Sequence, residues 1–341
     1  MRKIAVVGLG VAGSYLVSRL STEYEVVGFE MCSYADYYPP CAWATSGSEM
    51  QKLLSPVGLN FEDYVFYKGK EMCVDLGSSR FWMKLKGLCT FDKLSLERDL
   101  VDGHNVKFGV HIKSTEQLND EYDLIIDSTG FQRALLPKLS KDYIIHTLEY
   151  KVKYNKMPID DFYIKPMNAG YIWFFPLGDS YAHVGCGDYF GRQRYFLDAF
   201  MREHGGEIVK RVGRPLRITP PPMCQPYYAG KVVGVGESIG TVLSVLGEGI
   251  IPSLYCAEIF LKNVQDLEAY TAEVLRRFSP YKEVFDVVAD KISGRFSFAR
   301  DFSKLLKVFR YMKREEGHIG VEVRMADIIK IFFSKATSSI R

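Results

Sequence analysis

An α/β fold is what this sequence predicts. It combines a parallel sheet of the dinucleotide-binding type, interrupted in sequence, an antiparallel-sheet domain and a helical C-terminal region. Three observations predict it. The first 30 residues read strand, glycine turn, helix, strand. Residues 143–226 are crowded with aromatic strand segments. A second strand-and-glycine-loop stretch, KVVGVGESIG, returns only after them, at residue 231.

The first element carries the most specific pattern. Ile4 to Val7 is a short, wholly apolar run, as a strand buried on both faces requires. Gly8, Gly10 and Gly13 follow as GxGxxG, and Ser14 to Leu20 reads as a helix. Glu25 to Phe29 is the next strand, closed by Glu30 seventeen residues after Gly13. Each part has a physical task. Gly8 permits the tight turn, Gly10 admits a pyrophosphate to the backbone, and Gly13 lets helix and sheet approach. The helix N-terminus offers unpaired N–H groups to phosphate. A carboxylate at Glu30 accepts ribose hydroxyls and disfavours a 2′-phosphate, which leaves FAD or NAD. A Rossmann-like unit follows from the order of the parts, not from the glycines alone.

Residues 31–60 read as loop and short helix, and 61–90 alternate as strands of an antiparallel insertion. FDKLSLERDLV reads as a helix, NVKFGVHI as a strand, and EYDLIIDSTG as a buried strand ending at Gly130. Between 143 and 226, YIWFFPLGDSYAHVGCG predicts a hairpin turning at Gly178-Asp179, and 192–204 a helix. GRPLRITPPPMCQPYYAG reads as loop, because three consecutive prolines prevent regular structure. The chain beyond 265 reads as helical and basic. Over 301–341 nine Lys and Arg face five Asp and Glu. The domains are therefore expected as 1–142 with 227–264, then 143–226, then 265–341.

Composition narrows the function. A net charge of +3 gives no footprint for nucleic acid. No run of about 18 apolar residues occurs, so no membrane span is expected. The N-terminus has no signal-peptide pattern, which predicts a cytoplasmic protein. With 22 Phe, 22 Tyr and 3 Trp, the chain can wall a sizeable apolar cavity. Seven Cys without a CxxC pair argue against a metal site. Cys41, in YYPPCAWATSG, stands on a stiff turn soon after the second strand. Three readings stay open for it: a proton-donating or redox-responsive thiol, a packing residue whose backbone meets a cofactor, and a disulfide partner of Cys32.

Taken together, GxGxxG with Glu30, DLIIDSTGF, YIWFFP and GESIGTVLSVLGEGI resemble the FAD-dependent geranylgeranyl reductase family. That family lies within the flavoprotein superfamily of the aromatic hydroxylases. The resemblance runs from residue 1 to about 260 and is strongest at its two ends. It implies FAD, a prenyl-lipid substrate in an apolar tunnel, and an external electron donor, either NAD(P)H or a reduced ferredoxin-type carrier. It implies reduction of C=C bonds in geranylgeranyl chains, with contact at the inner membrane face as an option. An FAD monooxygenase or halogenase-like enzyme, or a flavin-binding redox protein without turnover, is the alternative.

The same resemblance implies site residues. Val11, Ala12, Glu30 and Met31 fall to the adenosine half of FAD, with Val110 beside the adenine and Gly130 on the loop after DLIID. Cys41, Ala42 and Ala44 correspond to the family's cysteine loop, with Cys41 as the candidate catalytic group. Arg98 corresponds best to an arginine at FAD, with Lys93 as rival. Gly236, Glu237, Gly247, Gly249 and Ile250 form the late glycine motif. There Glu237 replaces the family's Asp and Ser244 stands where Pro is common. Glu248 falls near the flavin pyrimidine. Tyr171, Trp173 and Phe175 match the Y-x-W-x-F-P signature. They share one strand face and form either a core or a lipid-facing wall.

Overall fold

The computed structural model describes residues 2–118 and 120–333. The chain opens with β1 (Lys3–Val7), α1 (Val11–Leu20) and β2 (Glu25–Glu30). β3 (Ala44–Ser46) and α2 (Gly47–Leu54) follow, then β4 (Val65–Lys68), β5 (Glu71–Asp75), β6 (Arg80–Lys84) and β7 (Leu88–Phe91). Next come α3 (Lys93–Asp99), β8 (Val106–Phe108) and β9 (Leu124–Asp127). The long strands β10 (Ile144–Lys153), β11 (Phe162–Met167), β12 (Gly170–Gly178) and β13 (Tyr181–Asp188) precede α4 (Gln193–His204) and β14 (Glu207–Arg217). Two short strands, β15 (Tyr228–Ala229) and β16 (Val232–Gly234), lead to α5 (Ile250–Lys262). The chain then runs through α6 (Leu267–Phe278), α7 (Pro280–Ile292), α8 (Phe298–Arg314), α9 (Glu316–Ile319) and α10 (Met325–Phe333).

Two large sheets frame the molecule. The first has order β15-β16-β9-β1-β2-β8, with β16, β9, β1, β2 and β8 all parallel. Its centre is sequence-driven: Ile4, Ala5, Val6, Ile125 and Ile126 are wholly buried. β16 completes this sheet a hundred residues after β9, which confirms the mixed α/β, interrupted reading. The second sheet has order β14-β10-β13-β12-β11-β5-β6, largely antiparallel. β3, β7 and β4 form a small third sheet. Helix α4 covers one face of the second sheet with Leu197 and Phe200. The larger core joins the parallel sheet to α5 and the C-terminal helices.

Four elements differ from the sequence reading. α1 starts at Val11, because Gly10 is already extended and serves as its cap. The strand expected over 105–112 stops at Phe108, where Gly109 takes φ +73°. β14 runs on through Gly213 to Arg217, in a segment read as loop. It is an edge strand, so Pro215 costs no ladder bond. The hairpin turns at Asp179 and Ser180, one place later than expected, both at positive φ. In addition, β5 and β6 join the second sheet, so that sheet crosses the expected boundary at 142.

The C-terminal region docks on this frame through backbone pairing. Leu85 bridges Val321, Lys86 N–H donates to Gly320 O at 2.7 Å, and Glu322 N–H donates to Lys84 O at 2.8 Å. These bonds cover the exposed edge at β6. No helix among the described residues is long and apolar enough to cross a membrane.

Candidate functional site

A cavity of about 650 Å³ lies between the two sheets and reaches the C-terminal helices. At one end is the glycine turn. Gly8 has φ +90°, and a Cβ there would stand 2.6 Å from the Ser128 carbonyl oxygen. A Cβ on Gly13 would stand 1.9 Å from Gly8 O. These two glycines hold β1, α1 and the loop after β9 in contact. Gly10 differs: a Cβ there would meet nothing within 4 Å. Gly10, Val11 and Ala12 line the cavity, and no side chain caps the first-turn N–H groups of α1. That is an open, electropositive cradle for phosphate.

Glu30 closes the cradle. Its Oε2 accepts Leu9 N–H and its Oε1 accepts Cys32 N–H, both at 3.0 Å. The carboxylate is fixed at the cavity wall with lone pairs left for two more donors. Met31, Val110 and Gly130 also line this end. The residues present therefore fit the adenosine diphosphate part of a dinucleotide.

The late glycine motif lies beside it. Gly236, at φ +77°, packs against Ala12 and Ser253 behind the wall. Glu237 is at the wall but is engaged. It pairs with the Arg214 guanidinium and accepts Arg217 N–H at 2.9 Å. Arg217, nearly fully buried, ties this turn to Phe131 O at 2.7 Å and to Asp142. Gly247, Glu248, Gly249 and Ile250 line the cavity where α5 begins. Glu248 Oε1 accepts Ile251 N–H at 3.1 Å, and burial pushes its carboxyl up to about 7.

The Cys41 loop forms the next wall and is locked from several sides. Tyr37 Oη donates to Leu9 O at 2.8 Å and sits 2.7 Å from Glu97 Oε2. Trp43, at φ +55°, donates from Nε1 to Pro39 O at 2.9 Å. Cys41, Ala42 and Ala44 line the cavity. Cys32 and Cys41 are free thiols, so the disulfide left open as one of three readings is not made. Burial pushes the Cys41 thiol up, although the Lys93 ammonium opposes the shift. Arg98 turns away from the cavity: its Nη2 donates to Tyr34 O at 2.8 Å and its guanidinium stacks 4.4 Å from the Tyr34 ring centre. Its rival Lys93 is the basic residue of α3 at the wall, held 2.5 Å from Glu97 Oε1.

β12 supplies the aromatic wall. Tyr171, Trp173 and Phe175 all face the cavity. Tyr171 Oη donates to Leu246 O, and Trp173 Nε1 donates to Glu149 Oε2 at 3.3 Å. The indole lies so close over Gly185 that a Cβ there would be 2.1 Å from it. Beyond, the cavity becomes apolar, walled by Val288, Val308, Met312, Ile328 and Phe332 from the C-terminal helices. Within the segment RMADIIKIFFSK, α10 turns Ile328, Ile331 and Phe332 to this chamber. The segment's last two residues lie outside the described residues.

Sequence reasoning missed Glu149, His183, Lys291 and Arg214. Glu149 follows the alternation Ile145, Thr147, Glu149 along β10, all facing the cavity. In sequence that alternation reads as a solvated face. Lys291, on α7, is pushed down to about 8 by burial among the apolar helices.

No family model matches the chain. A curated relative, digeranylgeranylglycerophospholipid reductase 1 of Methanopyrus kandleri, is 24% identical over 200 residues. The match covers 54% of this chain and 52% of the relative, so the chain spans about half the length of the curated relative it matches. Among solved structures, a geranylgeranyl bacteriochlorophyll reductase-like protein of Thermoplasma acidophilum superposes with a TM-score of 0.72 at 14% identity, over 98% of both chains. The flavin-dependent halogenase CmlS gives 0.63 at 16% identity, over 95% of this chain and 74% of that one. PqsL, a probable FAD-dependent monooxygenase of Pseudomonas aeruginosa, gives 0.60 at 14% identity, over 87% and 99%. The fold is that of the Rossmann-type FAD flavoproteins. The curated relative supports the resemblance to the geranylgeranyl reductases that the motifs carry, and the Thermoplasma structure shares the fold.

Proposed function

We propose that this flavoprotein-fold chain binds FAD and reduces C=C bonds in the geranylgeranyl chains of lipids or lipid precursors. One observation carries the reading: a single cavity runs from the glycine cradle, past an aromatic wall, into an apolar chamber. Such a shape suits a dinucleotide at one end and a prenyl chain at the other. FAD, once reduced, would supply hydride.

The protein's part is binding, orientation and exclusion of water. The α1 N-terminus and Gly10 would hold the diphosphate, and Glu30 the adenosine ribose. Glu237 remains an acceptor for the ribityl chain while Arg214 fixes its direction. Ala42 and Ala44 would leave room for the ring system, with Cys41 on the same wall. Tyr171, Trp173 and Phe175 wall the alkene, and the C-terminal helices enclose the remaining isoprene units. The resemblance to the geranylgeranyl reductases implies an external electron donor, NAD(P)H or a ferredoxin-type carrier.

The test is anaerobic. Purified protein carrying flavin is reduced with dithionite and mixed with geranylgeranyl lipid. Flavin should reoxidise, and mass spectrometry should find two added hydrogens per saturated bond. Failure to reoxidise would overturn the reading. Oxygen-dependent reoxidation with a hydroxylated product would replace it with the monooxygenase alternative.

A further inference from the structure

We propose that Glu149 is the proton donor of the alkene reduction, and that His183 and Tyr38 form the route by which a proton returns to it. The inference rests on the proposed function. An isolated prenyl alkene is not polarised, so hydride addition needs a proton delivered to the neighbouring carbon. The group that delivers it must face the prenyl site and hold a proton at neutral pH.

Glu149 meets both demands by placement. It is on β10, in the interior of the second sheet, and 4% exposed. It lines the cavity beside the aromatic wall, bound to Trp173 through Oε2. Its Oε1 has no hydrogen-bond partner. On the neighbouring strand β13, one pair further along the ladder face, His183 is fully buried, and its Nδ1 lies 3.7 Å from Oε1, likewise without a partner. The other ring nitrogen lies 3.1 Å from Tyr38 Oη, on the Cys41 loop. A chain of polar groups thus runs from the cavity wall to the loop.

The surroundings favour the neutral acid. An unpaired carboxylate in such a site would be costly, and burial pushes Glu149 up to about 8. His183 cannot serve as its counter-charge, since burial drives the imidazole down to about 3. The Tyr38 phenol and the Cys41 thiol are both pushed up by burial and stay neutral. Lys93, on α3, is the cation acting on Glu149, and its ammonium is already bound to Glu97. Lys151, two places along β10, sits over the Tyr181 ring, and Lys210 of β14 over that of Tyr38.

The step balances. Hydride adds to one alkene carbon and the π pair moves to the other. That pair takes the Glu149 proton, so a second C–H bond forms as the carboxyl O–H bond breaks. The carboxylate then takes the Nδ1 proton of His183 across the 3.7 Å gap as Nε2 takes the Tyr38 hydroxyl proton, and the half-buried Tyr38 phenol regains its proton from solvent.

The experiment compares wild type, Glu149→Gln and Glu149→Asp. Stopped-flow reoxidation of reduced protein by geranylgeranyl lipid should slow about 10²–10⁴-fold in Glu149→Gln, with lipid affinity retained and partial recovery in Glu149→Asp. The wild-type rate should fall as pH rises through about 8. Independently, infrared spectra of flavin-free wild type should show the carbonyl stretch of a buried neutral carboxyl, lost in Glu149→Gln. An active wild type matched by Glu149→Gln, or a wild type with a flat pH profile and no such stretch, would overturn the donor role alone. An inactive wild type would overturn the function and the donor role with it.

Discussion

Trp43 folds back on Pro39: its indole Nε1 donates to the Pro39 carbonyl at 2.9 Å, so the chain closes a ring around Cys41. The backbone of Trp43 is left-handed, at φ +55°, a conformation a bulky residue adopts only when its surroundings impose it. Phe91 N–H donating to Trp43 O at 3.0 Å and the edge of His183 against the indole do so. Trp43→Phe keeps the ring but removes the donor. We expect a loss of about 1 kcal/mol in urea unfolding and weaker flavin binding in titration. Unchanged flavin affinity would mean that the ring alone shapes the loop.

Cys41 faces the cavity as a protonated thiol, pushed up by burial. Its alkylation by iodoacetamide at neutral pH should be slower than that of a free cysteine, since the thiolate is the reactive form. With the proton supplied by Glu149, Cys41→Ser should keep flavin and most of its turnover. A loss of about 10²-fold or more would return the donor role to the thiol.

Gly185 gives Trp173 its position. Gly185→Ala places a methyl 2.1 Å from the indole, so the ring must swing into the cavity. KM for the lipid should rise, while flavin affinity, set at the far end of the cavity, stays the same. Equal loss of both would show that the two ends are coupled.

The docking of the C-terminal region is acid-sensitive. Burial alone would raise the Glu316 carboxyl. Hydrogen bonds from Lys313 and Lys86, at 2.6 and 2.5 Å, instead hold it down at about 2. The folded value lies below the usual glutamate value of about 4.3, so its stabilisation is full above that value. It is lost as pH falls from there toward about 2. Glu316→Gln should lower stability at neutral pH and flatten the acid limb of urea midpoint against pH. An unchanged limb would remove Glu316 from the account.

What the sequence shows of this molecule is its local grammar. GxGxxG with Glu30 is contiguous, so spacing alone places the cradle. Tyr171, Trp173 and Phe175 alternate, so one face is legible, although not what it faces. The unread parts depend on distant strands. Glu149 resembles a solvated residue until β13 and β12 are laid beside it. Pro215 suggests a loop until β14 is seen to be an edge. Arg98 and Lys93 share α3, and only the packing of that helix decides which reaches the wall.

The completion of the parallel sheet by β16 fixes an order of events during synthesis. The ribosome delivers β1, α1, β2, β8 and β9 first, but the cradle lacks its last strand and Glu237 until the whole antiparallel sheet has emerged. The helices that seal the apolar chamber follow later still. A chain ending near residue 262 would include the glycine cradle and lack α7 to α10, which wall the apolar chamber. The boundary of the apolar chamber is thus the last part of the molecule to be delivered.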